Sequence, residues 1–232
     1  MTKPTVNYQH YLIIGPENTP HSTPITVIEA AIKAGITVIQ LRAKQSDAKE
    51  IIALAKETTD LLARLGKIDE VTLLINDRLD VVLTCLDQGI PVDGIHVGQD
   101  DIPVSVCRHY LGPDAIIGLS ASVKDLLHYV ATTSTDEIDY FGVGPLHPTA
   151  TKPEAGRFDG MDGETTVRTL DEIQELVEIS EIPVVVGGGV KANDLPALKE
   201  TGVDGYFVIS AITGADAPYE GARQLVTTWE EA

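Results

Sequence analysis

A chain of 232 residues, 43% hydrophobic and 22% charged, has globular proportions, and wholesale disorder is excluded. No apolar run reaches the roughly 18 residues that cross a bilayer, and the opening MTKPTVNYQ lacks the apolar core of a signal peptide, so a soluble cytoplasmic protein is the expectation. Seventeen Lys and Arg face 35 Asp and Glu, a net −18 that repels phosphate backbones and anionic lipid, so neither nucleic acid nor a membrane is expected as partner.

Short β-branched runs recur in chain order: YLIIG (11–15), TVIQLR (37–42), TLLIND (72–77), DGIHV (93–97), AIIGLS (115–120), DYFGVG (139–144), PVVVGG (183–188) and GYFVIS (205–210). Helical patterns fill the gaps at 24–34, 46–65, 79–88, 103–110, 122–132, 164–179, 193–201 and 216–230. Strands separated by helices predict parallel pairing, and eight such units fit a (β/α)8 TIM barrel better than an open doubly wound sheet. Glycines at Gly35, Gly89 and Gly202 follow three of the helical patterns, as helix-ending residues do. No break in composition marks a second domain. Residues 1–232 are expected to form one barrel, with a long active-site loop at about 144–162. Cys85 and Cys107 are isolated and make neither a disulfide scaffold nor a CxxC pair.

Barrel active sites sit at the C-terminal strand ends, so the polar residues there form one ring. Gln40, Arg42 and Lys44 close the second strand, Asn76 and Asp77 the third, and Ser120 the fifth, while His96 and Asp101 lie on or after the fourth. Asp77 and Asp101 follow neighbouring strands, roughly 4.8 Å apart, and two converging carboxylates suit Mg²⁺ beside a phosphate. Each acid is equally suited to capping the helix that follows it. Arg42 and Lys44, with Lys152 across the mouth, would offset an anionic substrate; pairing with surface acids is the alternative. Gly187 to Gly189 leave room for backbone to approach an anion, with Ile209-Ser210 alongside, or they simply turn the chain. The same GGGVKA run also fits a dinucleotide fingerprint, with Asp204 downstream, but it comes seventh among the units and Pro196 disturbs the helix after it. Thr149 and Thr151 flank the approach to Lys152. His96 and His147 form no HxH or HxxxH pair, so zinc is not expected, and His96 is expected to pack or hydrogen-bond at the barrel rim.

Seven segments, QLRAK (40–44), LINDR (74–78), DGIHVGQDDIP (93–103), IIGLS (116–120), GPLHPTATK (144–152), IPVVVGGGV (182–190) and GYFVISAI (205–212), appear in an order and spacing that resembles the thiamine-phosphate synthase family over nearly the whole chain. That resemblance implies a barrel transferase that joins 4-amino-2-methyl-5-hydroxymethylpyrimidine diphosphate to a thiazole phosphate, releasing pyrophosphate. It implies that Gln40, Leu41, Arg42, Ala43 and Lys44, with Asn76, Ser120 and Lys152, hold the pyrimidine and its diphosphate, and that Arg42, Lys44, Lys152 and Ser120 serve catalysis. It further implies Mg²⁺ on Asp77 and Asp101, and thiazole phosphate on Thr149, Thr151, Gly188, Gly189, Ile209 and Ser210. Three departures stand out: a third glycine in the 187–189 turn, His147 where an aromatic or aliphatic residue is commoner, and a longer segment after Lys152. A thiazole tautomerase on the same barrel and a non-catalytic phosphate binder are the rival readings. Whether the chain forms a homo-oligomer is left open.

Overall fold

The computed structural model describes residues 3–121, 123–149 and 166–232. Eight parallel strands close into a barrel in chain order: β1 (His10–Ile14), β2 (Val38–Leu41), β3 (Thr72–Asn76), β4 (Gly94–Val97), β5 (Ile116–Ser120), β6 (Tyr140–Val143), β7 (Val184–Gly187) and β8 (Gly205–Val208). The helices around it are α1 (Pro24–Ala34), α2 (Ala48–Leu65), α3 (Leu79–Asp87), α4 (Val104–Leu111), α5 (Leu126–Thr132), α6 (Leu170–Ile179), α7 (Leu195–Glu200), a single turn α8 (Ser210–Thr213), and α9 (Pro218–Glu231). Among the described residues no helix is long and apolar enough to cross a membrane.

Most boundaries follow local chemistry. Asp47 caps α2 in a reciprocal box with Glu50, and Thr23 and Thr169 accept the first free N–H groups of α1 and α6. Gly35, Gly89 and Gly202 hold φ of 111°, 70° and 82°, the left-handed turn that ends a helix. Pro196 does not disturb α7 as expected. It sits at the helix start, where a missing N–H costs nothing.

Side chains alternate across every strand. Leu12, Ile14, Ile39, Leu41, Leu73, Ile75, Ile95, Ile117, Phe141 and Val186 face outward and join the helices in the main core. Tyr11, Ile13, Val38, Leu74, Ile116, Tyr140 and Val185 fill the barrel interior. Inward positions of β5 and β6 are glycine where a larger neighbour needs the space. A Cβ on Gly118 would lie 2.2 Å from the Tyr140 ring, and one on Gly142 would lie 2.9 Å from His96 Cε1.

The lower end of the barrel is closed by a repeated clasp. The residue entering each even strand donates its N–H to the carbonyl of one residue on the strand before, and its side chain accepts that same residue's N–H. The pairs are Thr37 with His10, Asp93 with Leu73, Asp139 with Ile117, and Asp204 with Val184, the three carboxylates at 2.7 to 2.8 Å. Asp139 also holds Arg108 Nη2 at 2.8 Å and pairs with Lys3. Asp204 therefore belongs to the floor, at the opposite end from Gly187–Gly189. The dinucleotide fingerprint is thereby overturned.

Candidate active site

The upper end opens into a cavity of about 570 Å³. Gln40, Arg42, Asn76, His96 and Ser120 line one side; Thr149, Gly188, Gly189, Ile209 and Ser210 line the other. A second chamber of about 40 Å³ adjoins it, bounded by Lys44, Asp77, Gly98 and Asp101. Arg42, Asn76, His96 and Ser120 border both chambers. Strand alternation explains which members of the 40–44 run take part. Leu41 and Ala43 point to the outer core and lie outside both linings, so the run presents only Gln40, Arg42 and Lys44 as side chains.

In the smaller chamber Asp77 has a φ of 60°, a left-handed backbone rare for any residue but glycine, asparagine and aspartate. Its N–H donates to the His96 carbonyl at 2.8 Å, which ties the turn to β4. The expected helix-cap role is absent: Arg78 occupies the cap position of α3. Instead the Asp77 carboxylate pairs with the Lys44 ammonium and meets Asp101 within hydrogen-bonding reach. Burial pushes the Asp77 carboxyl above its ordinary range; Lys44 pulls it down, and Asp101 pushes it further up. Asp101 does not cap α4 either. Its Oδ2 accepts the Gly98 N–H at 2.8 Å, an approach that a Cβ on Gly98 would obstruct. Two oxygen-donor carboxylates facing one another at a phosphate-sized cavity fit a hard divalent cation, which commonly takes one or two carboxylates and completes its shell with water and phosphate oxygens. Among the described residues no group of three or more His, Cys, Asp and Glu is arranged to hold a metal ion by itself.

On the far side, Gly188 and Gly189 have φ of 81° and 76°. A Cβ on Gly188 would lie 2.7 Å from Pro145, and one on Gly189 would lie 2.8 Å from His147 Cβ, so glycine is required twice over. The Gly188 carbonyl accepts the N–H groups of Leu146 and His147, and His147 Nε2 meets Asp194 Oδ1 at 3.0 Å. Residues 205–210 do not form one strand as the sequence predicts. β8 stops at Val208, Ile209 turns the chain, and Ser210 opens α8 toward the cavity. Thr151 and Lys152 lie outside the described residues.

Sequence reasoning missed a chain of buried hydrogen bonds beneath the Gln40–Ser120 side of the cavity. Gln40 Nε2 meets Tyr11 Oη at 2.6 Å, Tyr11 Oη meets Tyr140 Oη at 2.8 Å, Tyr140 Oη meets His96 Nδ1 at 2.8 Å, and His96 Nε2 meets Ser120 Oγ at 2.9 Å. Five side chains from β1, β2, β4, β5 and β6 thus form one continuous line. The available signal was glycine at 118 and 142, alternating with apolar residues in strands that otherwise carry bulk.

The sequence profile described as thiamine monophosphate synthase matches residues 10–212. A thiamine-phosphate synthase of Corynebacterium efficiens is 36% identical over 229 residues, covering 99% of this chain and 98% of the relative. One from Natronomonas pharaonis is 35% identical over 226 residues, 97% of each. The solved structure of a thiamine phosphate pyrophosphorylase from Pyrococcus furiosus superimposes with a TM-score of 0.77 at 26% identity, covering 97% of each chain.

Proposed function

The chain belongs to the thiamine-phosphate synthase family and is a transferase, and from that premise we propose that it condenses 4-amino-2-methyl-5-hydroxymethylpyrimidine diphosphate with 4-methyl-5-(2-phosphooxyethyl)thiazole, releasing pyrophosphate. The observation that carries the reading is the pair of adjoining chambers. One concentrates acids and cations, the other is apolar with an anion-sized glycine turn, and Arg42, Asn76, His96 and Ser120 stand at their junction. A substrate with its diphosphate in the small chamber would present its ring and methylene to a second substrate in the large one.

The C–O bond between the pyrimidine methylene and the diphosphate breaks, and its electron pair leaves with pyrophosphate. The electron-rich aminopyrimidine spreads the positive charge left on the methylene. The thiazole nitrogen then gives its lone pair to that carbon. No proton leaves the attacking nitrogen, so no general base is required. Asp77 and Asp101 would hold Mg²⁺, which neutralises charge on the diphosphate when bound. Arg42 and Lys44 add positive charge to the leaving group from β2, a fixed rather than reorganising environment. Gln40, Asn76 and Ser120 orient the pyrimidine. Ile13, Tyr140, Val143, Val185 and Phe207 line the cavity with apolar surface that keeps water from the cationic carbon. The Gly188–Gly189 turn and the start of α8 face the thiazole phosphate with backbone N–H groups.

The test is pyrophosphate release by purified protein given the pyrimidine diphosphate, with and without the thiazole phosphate and Mg²⁺. Release that needs all three, with thiamine phosphate formed in equal amount, supports the reading. A folded sample that binds thiazole phosphate but releases nothing overturns it in favour of a tautomerase or a binder.

A further inference from the structure

The buried line from Gln40 to Ser120 has a direction, and one group sets it. Amide nitrogen can only donate, so Tyr11 Oη must accept from Gln40 Nε2. Tyr11 is fully buried, and its own proton has a single remaining partner, Tyr140 Oη. Were Tyr140 to donate to Tyr11 instead, a buried hydroxyl proton would be left without an acceptor, which folded proteins avoid. Tyr140 therefore donates onward to His96 Nδ1, and the neutral imidazole carries its proton on Nε2. That N–H donates to Ser120 Oγ, and the serine's proton is turned away from the histidine. Burial holds both tyrosines protonated, so each phenol keeps a proton to pass along the line.

We propose that Tyr11, Tyr140 and His96 are positioning residues that polarise the pyrimidine pocket, fixing Gln40 Oε1 as an acceptor at one end and the Ser120 hydroxyl as a donor at the other. The pattern matches a ring whose exocyclic amine donates and whose leaving group accepts; this last step rests on the proposed function, whereas the polarity of the line does not. Two inward glycines make the arrangement sterically feasible, since side chains at Gly118 or Gly142 would displace Tyr140 or His96. Were the Gln40 amide turned by half a rotation, every link would reverse: His96 would carry its proton on Nδ1, and Ser120 would donate to it. The two orders are distinguishable without substrate.

The experiment is long-range ¹H–¹⁵N correlation on ring-labelled protein at about pH 8, where an imidazole is neutral, with His96 assigned by its loss in His96→Gln. The expected result is the Nε2–H tautomer. Gln40→Glu replaces the terminal donor with an acceptor three links away, and is expected to convert His96 to the Nδ1–H tautomer. Tyr140→Phe, which keeps the ring and removes one oxygen, is expected to leave a mixture of tautomers. In turnover it should lower kcat roughly 10- to 100-fold, the scale for groups that orient a ligand from behind, with an unchanged KM for thiazole phosphate. An Nδ1–H tautomer in the unmodified protein, or a tautomer indifferent to Gln40→Glu in a folded variant, overturns the proposal. Failure to detect synthase activity would instead count against the functional reading and leave the tautomer result standing.

Discussion

The two ends of this barrel use the same residue types to opposite effect. At the floor, Asp93, Asp139 and Asp204 each accept a strand N–H at 2.7 to 2.8 Å, so the carboxylates close the ends of the sheet. At the mouth, Asp77 and Asp101 face each other, and Asp77 is strained at a φ of 60°. Floor acids satisfy backbone groups that would otherwise be orphaned. Mouth acids repel one another. The comparison teaches that in an abundantly acidic chain, position relative to strand ends separates carboxylates that close the sheet from carboxylates that face one another across a cavity.

The largest effect expected from this contrast is at the mouth. Asp101→Ala should lower turnover by roughly 10³-fold, about 4 kcal/mol of transition-state stabilisation, while thermal unfolding barely changes. Steady-state kinetics at saturating Mg²⁺ checks it, and undiminished turnover would remove Asp101 from the site. At the floor the outcome should invert. Asp139→Ala strips a partner from Arg108 and the acceptor from Ile117 N–H, and should cost about 3 to 5 kcal/mol of stability. Urea denaturation measures the loss, and kcat per folded molecule should be unchanged. A drop in kcat with intact stability would dissolve the distinction between the two ends.

How far the sequence reaches follows the same division. The alternation of β-branched runs with amphipathic stretches made the barrel legible, because periodicity records burial directly. Asp77 and Asp101 were legible as a pair, since their strands are neighbours. Their competing role as caps was not decidable, because a residue at a strand end and at a helix start occupies one position in a sequence and two in space. The facing of Leu41 and Ala43 was implicit in the two-residue period but obscured by reading 40–44 as a block. The line from Gln40 to Ser120 left only an indirect trace, the glycines at 118 and 142, and its partners could not be named from it. Tyr11 and Tyr140 are 129 residues apart, and only barrel closure brings their hydroxyls to 2.8 Å. Ser210 was misassigned to a strand because an apolar run carries no mark where φ and ψ change at Ile209.

His10, at the lower end of β1, gives the comparison a pH dependence. Burial against Tyr206 lowers its imidazole from 6.5 to about 4; Glu230 opposes the shift and Lys199 adds to it. The unfolded chain takes up this proton near 6.5, and the folded protein resists it until about 4. The contribution is complete above the unfolded value and is lost as pH falls between the two, on the order of 3 kcal/mol in all. His10→Gln should flatten that part of the stability curve relative to the parent. Parallel urea midpoints from about pH 7 to pH 4.5 in both proteins would show that the floor takes no part in acid unfolding.

The smallest change in stability should run against intuition. Asp77→Asn removes a carboxylate whose ionised form is opposed first by burial and then by Asp101, at the cost of its pairing with Lys44. Asparagine tolerates the left-handed backbone that Asp77 adopts, so the turn after β3 survives. The variant should gain about 0.5 to 2 kcal/mol, the usual return for relieving a functional site, a rise of a few degrees in Tm for a chain of this size. Turnover should be nearly lost, because an amide neither carries the charge that a divalent cation requires nor accepts from Lys44 with the strength of a carboxylate. Calorimetry and kinetics on one preparation read both changes together. A fall in Tm would mean that the ion pair with Lys44 outweighs burial and repulsion. The mouth acids would then be stabilising in the same sense as the floor acids, and catalytic demand would no longer explain the backbone strain at Asp77.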